Sequence, residues 1–193
     1  MAGLLVPVIY GSVRTGRVGI RAARFMVEVV RARGHEPVLV DPLERPLPLL
    51  DKMYKEFPKG TAPAVMEDLA DLFRRADGFC IVSGEYNNGI PPALKNMLDH
   101  FLEEYFWRPA GIVCYSGGRY GGVRAAMQLR MSLAEMGMIT IPSLCPFPNV
   151  AGVFEEDGTP REPWLRGAAD KFVEEFEWYA HALQAQRTKG VPY

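Results

Sequence analysis

Three cysteines and three histidines are all the thiols and imidazoles this 193-residue chain contains. Cys80, Cys114 and Cys145 are odd in number and form no C-x-x-C pair, and His35, His100 and His181 have no ligand spacing. Neither a disulfide framework nor a zinc site is indicated, and the cysteines read as small buried hydrophobes. An excess of either charge sign is missing too. Lys plus Arg (22) nearly balances Asp plus Glu (23), with no dense basic block, so the electrostatic footprint of a nucleic-acid binder is absent. No apolar run approaches the ~20 residues of a membrane span, and the N-terminus has no positive segment ahead of a cleavable apolar stretch. A cytoplasmic protein without nucleic-acid or membrane partners is expected. The absence of internal repeats and low-complexity tracts removes solenoids and flexible tails.

What is present is enough apolar material, 48% of residues against 23% charged, for one domain spanning residues 1–193 with a continuous core. Short apolar runs alternate with longer amphipathic stretches, the pattern of β-α units around a parallel sheet. Five strands are predicted: Leu4 to Tyr10, Glu36 to Val40, Gly78 to Ser83, Gly111 to Tyr115, and a short one at Met138 to Ile141. Helical spacing joins Ala22, Met26, Val29 and Val30, then Val65, Met66, Leu69, Leu72 and Phe73 behind Pro63. Further helices are predicted over Pro91 to Leu102, over Val123 to Met136, and from Pro163 with Leu165, Ala169, Phe172, Val173, Phe176 and Leu183 on the core side. The proline-rich stretch 42–62 has no clear period.

The loop after the first strand, Gly11-Ser12-Val13-Arg14-Thr15-Gly16-Arg17-Val18-Gly19, approaches the triphosphate motif G-x-x-x-x-G-K-[ST] but lacks its lysine and its magnesium-binding hydroxyl. What remains is a strand, a glycine turn and a helix N-terminus, whose free N–H groups and positive dipole end favour an anion. One terminal phosphate, met by the Ser12 hydroxyl and by Arg14 or Arg17, needs no metal. The competing reading is an ordinary turn with solvated arginines.

A doubly wound sheet binds ligands outside the carboxyl ends of its strands. There the chain places Gly84-Glu85-Tyr86-Asn87-Asn88-Gly89-Ile90-Pro91-Pro92 and Ser116-Gly117-Gly118-Arg119-Tyr120-Gly121-Gly122. Tyr86 offers a ring for stacking, Asn87 both donor and acceptor, and the glycines close backbone approach. A flat heterocycle with polar edges suits such loops.

These three motifs, together with Leu94-Lys95-Asn96-Met97-Leu98-Asp99 and Gly121-Gly122-Val123-Arg124-Ala125, resemble the NADPH-dependent FMN reductase family in order and spacing over most of residues 4–136. The resemblance implies an α/β fold, a flavodoxin-like doubly wound five-stranded parallel sheet of order 2-1-3-4-5 with helices on both faces. It implies FMN as cofactor and NADPH or NADH as co-substrate. Ser12, Arg14, Arg17, Val18 and Gly19 would hold the phosphate; Glu85, Tyr86 and Asn87 would line the ring or ribityl chain; Ser116, Gly117 and Gly118 would approach the ring. The acceptor would be a small molecule: flavin, quinone, azo dye or metal oxyanion. No metal and no catalytic side chain is assigned, because the cofactor carries the chemistry. A homodimer or tetramer is implied, with Phe101, Leu102, Tyr105, Phe106 and Trp107 divided between interface and core readings, and Met53, Tyr54 and Phe57 as candidates to cover the ring. The rival readings are an FMN-binding electron carrier or redox sensor, and a nucleotide or phosphosugar module. Gly84 stands where the family commonly has proline, Pro92 where it has glycine, and His100, read as a partly exposed helix residue, where it often has tryptophan.

Overall fold

A computed structural model describes residues 3–193. The alternating pattern resolves into β1 (Leu5–Tyr10), α1 (Ile20–Ala32), β2 (Glu36–Val40), α2 (Ala64–Arg75), β3 (Phe79–Ser83), α3 (Pro92–Asp99), β4 (Pro109–Tyr115), α4 (Val123–Glu135), β5 (Ile139–Phe147), α5 (Val150–Val153) and α6 (Pro163–Arg187). All strand pairs are parallel and the order is β2-β1-β3-β4-β5, the flavodoxin-like arrangement expected from the motifs. β3 and β4 are buried along their whole length, as strands covered on both faces must be. α1 and α6 bring Met26, Val30, Phe172 and Phe176 to one face of the sheet. α2, α3 and α4 bring Leu69, Phe73, Leu94, Leu129 and Leu133 to the other. The chain thus leaves β1 on one side and β3 on the opposite side, which opens a crevice at their carboxyl ends.

The differences from the sequence reading have local causes. β5 runs six residues past Ile141, through Pro142 and Pro146, because it lies at the sheet edge, where a missing N–H is tolerated. α3 stops at Asp99, and a 3₁₀ turn at Glu103–Tyr105 leads into β4. Phe101 and Tyr105 enter the core beside Phe73, with ring centroids 5.1 and 5.4 Å away, so these two are core residues rather than an interface patch. Phe106 and Trp107 pack on Tyr193. His100 is also a correction: it is 1% exposed, its Nδ1 lies 2.7 Å from the Asn96 carbonyl, and its Nε2 has no partner among the described residues.

The stretch 42–62 forms a strap with one 3₁₀ turn, Tyr54–Glu56. Asn96 pins it by donating to the Pro48 carbonyl (2.7 Å) and accepting from the Leu50 N–H (2.9 Å). The Tyr54 hydroxyl donates to Glu67 at 2.7 Å, and Phe57 packs on the α2–α3 side of the core. These aromatics therefore face the helices of that layer. All three cysteines are buried, and burial pushes the Cys80 and Cys114 thiols up to about 12, leaving them protonated and inert.

Candidate functional site

At the carboxyl ends of β1, β3 and β4, one cleft is lined by the loop 12–19, by 84–86, by 115–117 and by Val150 and Ala151 of α5. It gathers Ser12, Arg14, Arg17, Val18, Gly19, Glu85, Tyr86, Ser116 and Gly117 from the sequence-predicted set. Asn87 and Gly118 stand outside it. Asn87 and Asn88, both at positive φ, are the central residues of a tight turn closed by Tyr86 and Gly89 exchanging N–H···O bonds, the geometry that favours Asn at such positions. The Gly118 carbonyl accepts from Ser116 Oγ and from the Asn149 N–H, which ties the β4 loop to the start of α5.

Among the described residues, the amide N–H groups of Thr15, Gly16, Arg17, Val18 and Gly19 meet no protein acceptor. Five unengaged donors ahead of α1, at the positive end of its dipole, form a cradle for an anion. Ser12 Oγ sits 2.8 Å from the Tyr86 hydroxyl. The Arg14 guanidinium lies over the Tyr86 ring at 5.8 Å. Arg17 is placed differently. Its two terminal nitrogens donate to Asp41 at 2.5 and 2.6 Å, one donates also to the Ser12 carbonyl at 3.0 Å, and the group lies 5.4 Å over the Tyr10 ring. The Asp41 hydrogen bonds raise the Arg17 pKa further above its ordinary value.

Sequence reasoning missed Tyr10 and Tyr115, which look like the last core residues of two strands. Their rings stack 6.2 Å apart at 22°, and the Tyr115 hydroxyl donates to that of Tyr10 at 3.3 Å. Burial raises both phenol pKa values, so both are neutral at physiological pH. Tyr115 reaches the cleft between two glycines. A Cβ at Gly19 would fall 2.0 Å from its ring, and one at Gly84 would fall 3.0 Å from its hydroxyl. That contact accounts for glycine at 84, since a proline would carry its Cβ into the same space. Thr15, Gly16, Val150 and Ala151 were missed as well, the last two for want of any motif.

Glu85 lines the cleft, yet its carboxylate serves another element. Oε2 accepts the N–H groups of Arg124 (2.9 Å) and Ala125 (3.2 Å) in the first turn of α4, and Oε1 lies 3.6 Å from the Arg124 guanidinium. The residue caps α4 and joins the β3 loop to it. No cluster of three or more His, Cys, Asp or Glu placed to hold a metal ion occurs among the described residues.

A family model described as NADPH-dependent FMN reductase matches residues 4–151. The chain is 30% identical over 159 residues to the NAD(P)H-dependent FMN reductase ntnL of Nectria sp., covering 76% of each chain. It is 32% identical over 134 residues to a quinone reductase of Escherichia coli K12, covering 67% of this chain and 69% of the relative. Among solved structures, the flavoenzyme NAD(P)H:(acceptor) oxidoreductase FerB of Paracoccus denitrificans superposes with a TM-score of 0.73 at 21% identity, over 91% of this chain and 98% of FerB.

Proposed function

Because the chain belongs to the NADPH-dependent FMN reductase family, we propose that its cleft holds FMN, is reduced by NADPH or NADH, and passes the electrons to a small oxidised acceptor: free flavin, a quinone, an azo dye or a metal oxyanion. The observation that carries this reading is the cradle of five unengaged N–H groups in the same cleft as the Tyr86 ring and the β4 loop. The donor set fits one phosphate ester without a metal. The amides of 15–19, the Ser12 hydroxyl and the exposed Arg14 would hold the phosphate. The Tyr86 ring, the Ser116–Gly117 backbone, and Val150 and Ala151 offer a partly apolar wall to a planar ring. FMN bound there would supply the hydride and electron transfer. The chain's own residues orient the ring, cover part of it from water and keep Tyr10 and Tyr115 neutral beside it.

The proposal includes a homodimer or a tetramer. α4, tied to the cleft through Glu85, leaves Met127 and Met131 exposed and offers an apolar face to a second copy. The test is anaerobic mixing of the FMN-loaded protein with NADPH and, separately, NADH, while the flavin absorbance is followed. Bleaching by either is the expected result. Retained colour with both would favour an electron carrier or sensor, and failure to bind FMN at all would overturn every flavin reading.

A further inference from the structure

Asp41, the first residue after β2, was not part of the sequence-predicted site. Its carboxylate is 3% exposed and holds Arg17 through two charge-assisted bonds, while Oδ1 also accepts the Leu43 N–H at 2.9 Å. Its carbonyl accepts the N–H groups of Glu44 and Arg45, so the residue starts the strap as well as pairing across to the anion loop. Glu44 adds a second negative charge near Arg17. The guanidinium is thus saturated on one edge, bonded to the Ser12 carbonyl and laid against Tyr10.

We infer that Asp41 is the residue that sets the strength of the anion site, by converting Arg17 from a phosphate ligand into a brace for the loop. This rests on the FMN reading above. Arg17 and Asp41 cancel as charges, so among the described residues lining the cleft Arg14 is the uncompensated guanidinium, facing a phosphate monoester of about −1.5 to −2. The arrangement under-compensates the ligand, and FMN binds as an exchangeable ligand rather than a permanently held group. The amides supply direction and shape, which charge pairing does not.

The prediction is tested by titrating FMN, and riboflavin as the phosphate-free probe, into the full chain and its variants by flavin fluorescence and calorimetry. Asp41→Asn keeps the oxygen that accepts the Leu43 N–H and removes the negative charge; FMN should bind at least about tenfold tighter, with riboflavin unchanged within about twofold. The double variant Asp41→Asn with Arg17→Gln restores the original net charge and leaves no unpaired buried ion. Its FMN affinity should stay within about threefold of wild type, whereas Arg14→Gln should lose about tenfold or more. Weaker or unchanged FMN binding in Asp41→Asn, a loss in the double variant as large as that of Arg14→Gln, or riboflavin shifting in step with FMN would each overturn the assignment. A wild-type chain that binds neither flavin would instead overturn the FMN reading, and this inference with it.

Discussion

At Gly19 one added methyl group would meet the Tyr115 ring at 2.0 Å, so the residue is fixed by a side chain almost a hundred positions away. Gly19→Ala should lose roughly 1–3 kcal/mol of stability through overpacking, measured by urea unfolding, and Tyr115→Leu in the same chain should recover part of it. An ion pair at the other end of the sheet makes a pH prediction. Glu177 accepts from the Arg33 guanidinium and, at 2.8 Å, from His35 Nε2, while His35 Nδ1 accepts the Leu4 N–H. Burial pushes the Glu177 pKa up, but the Arg33 and His35 bonds outweigh it and the net direction is down. A carboxyl lowered by folding adds stability above its unfolded value of about 4.3, and that contribution vanishes as pH falls through the folded value. The stability difference between wild type and Glu177→Gln should therefore shrink as the pH falls below about 4, as read by denaturant midpoints. Local pattern reveals residues of this kind unevenly. Ser12 and Arg14 belong to a continuous motif, whereas Asp41 and Tyr115 matter through partners that only the sheet order brings beside them.

The elements were legible where period and punctuation agree. α1, α2 and α4 carry clean apolar stripes and end near Gly34, Gly78 and Gly137, and all five strands begin within two residues of their expected starts. β5 continues past its expected end because Pro142 and Pro146, which would interrupt a central strand, are tolerated at the sheet edge. The path of the strap was hidden because its anchors, Asn96 and Glu67, sit on other elements. α4 illustrates how one element organises the site. Its N-terminus is capped by Glu85 from the β3 loop, and Gly122 ahead of it has φ +82° and no room for a side chain, since a Cβ there would fall 2.6 Å from the Tyr115 carbonyl oxygen. Glu85→Ala should lose about 1–2 kcal/mol from the orphaned amides and weaken FMN binding by loosening the two loops together. Glu85→Gln, which still accepts a hydrogen bond, should fall between. Thermal unfolding and flavin titration of the pair check this, and equal losses in both variants would show that the charge, rather than the cap, matters.

For the molecule as a whole, ligand and fold are linked. FMN at a hundred times its dissociation constant should add about 2.7 kcal/mol to unfolding, or roughly 5–11 °C in midpoint for a chain of this size, while an equal concentration of inorganic phosphate should add far less. Light scattering should give a mass of two or four chains. Calorimetry and scattering over a dilution series separate the two effects, because only assembly depends on protein concentration. The sheet margins also constrain any such assembly. β2 carries Pro37, and β5 carries Pro142 and Pro146, on the two outermost strands. Each proline removes a donor from a strand margin that an incoming strand would otherwise use as a template. Copies of this chain are thereby steered away from joining sheet to sheet, the route that leads to open-ended fibrous growth, and toward closed association through helix faces and loops.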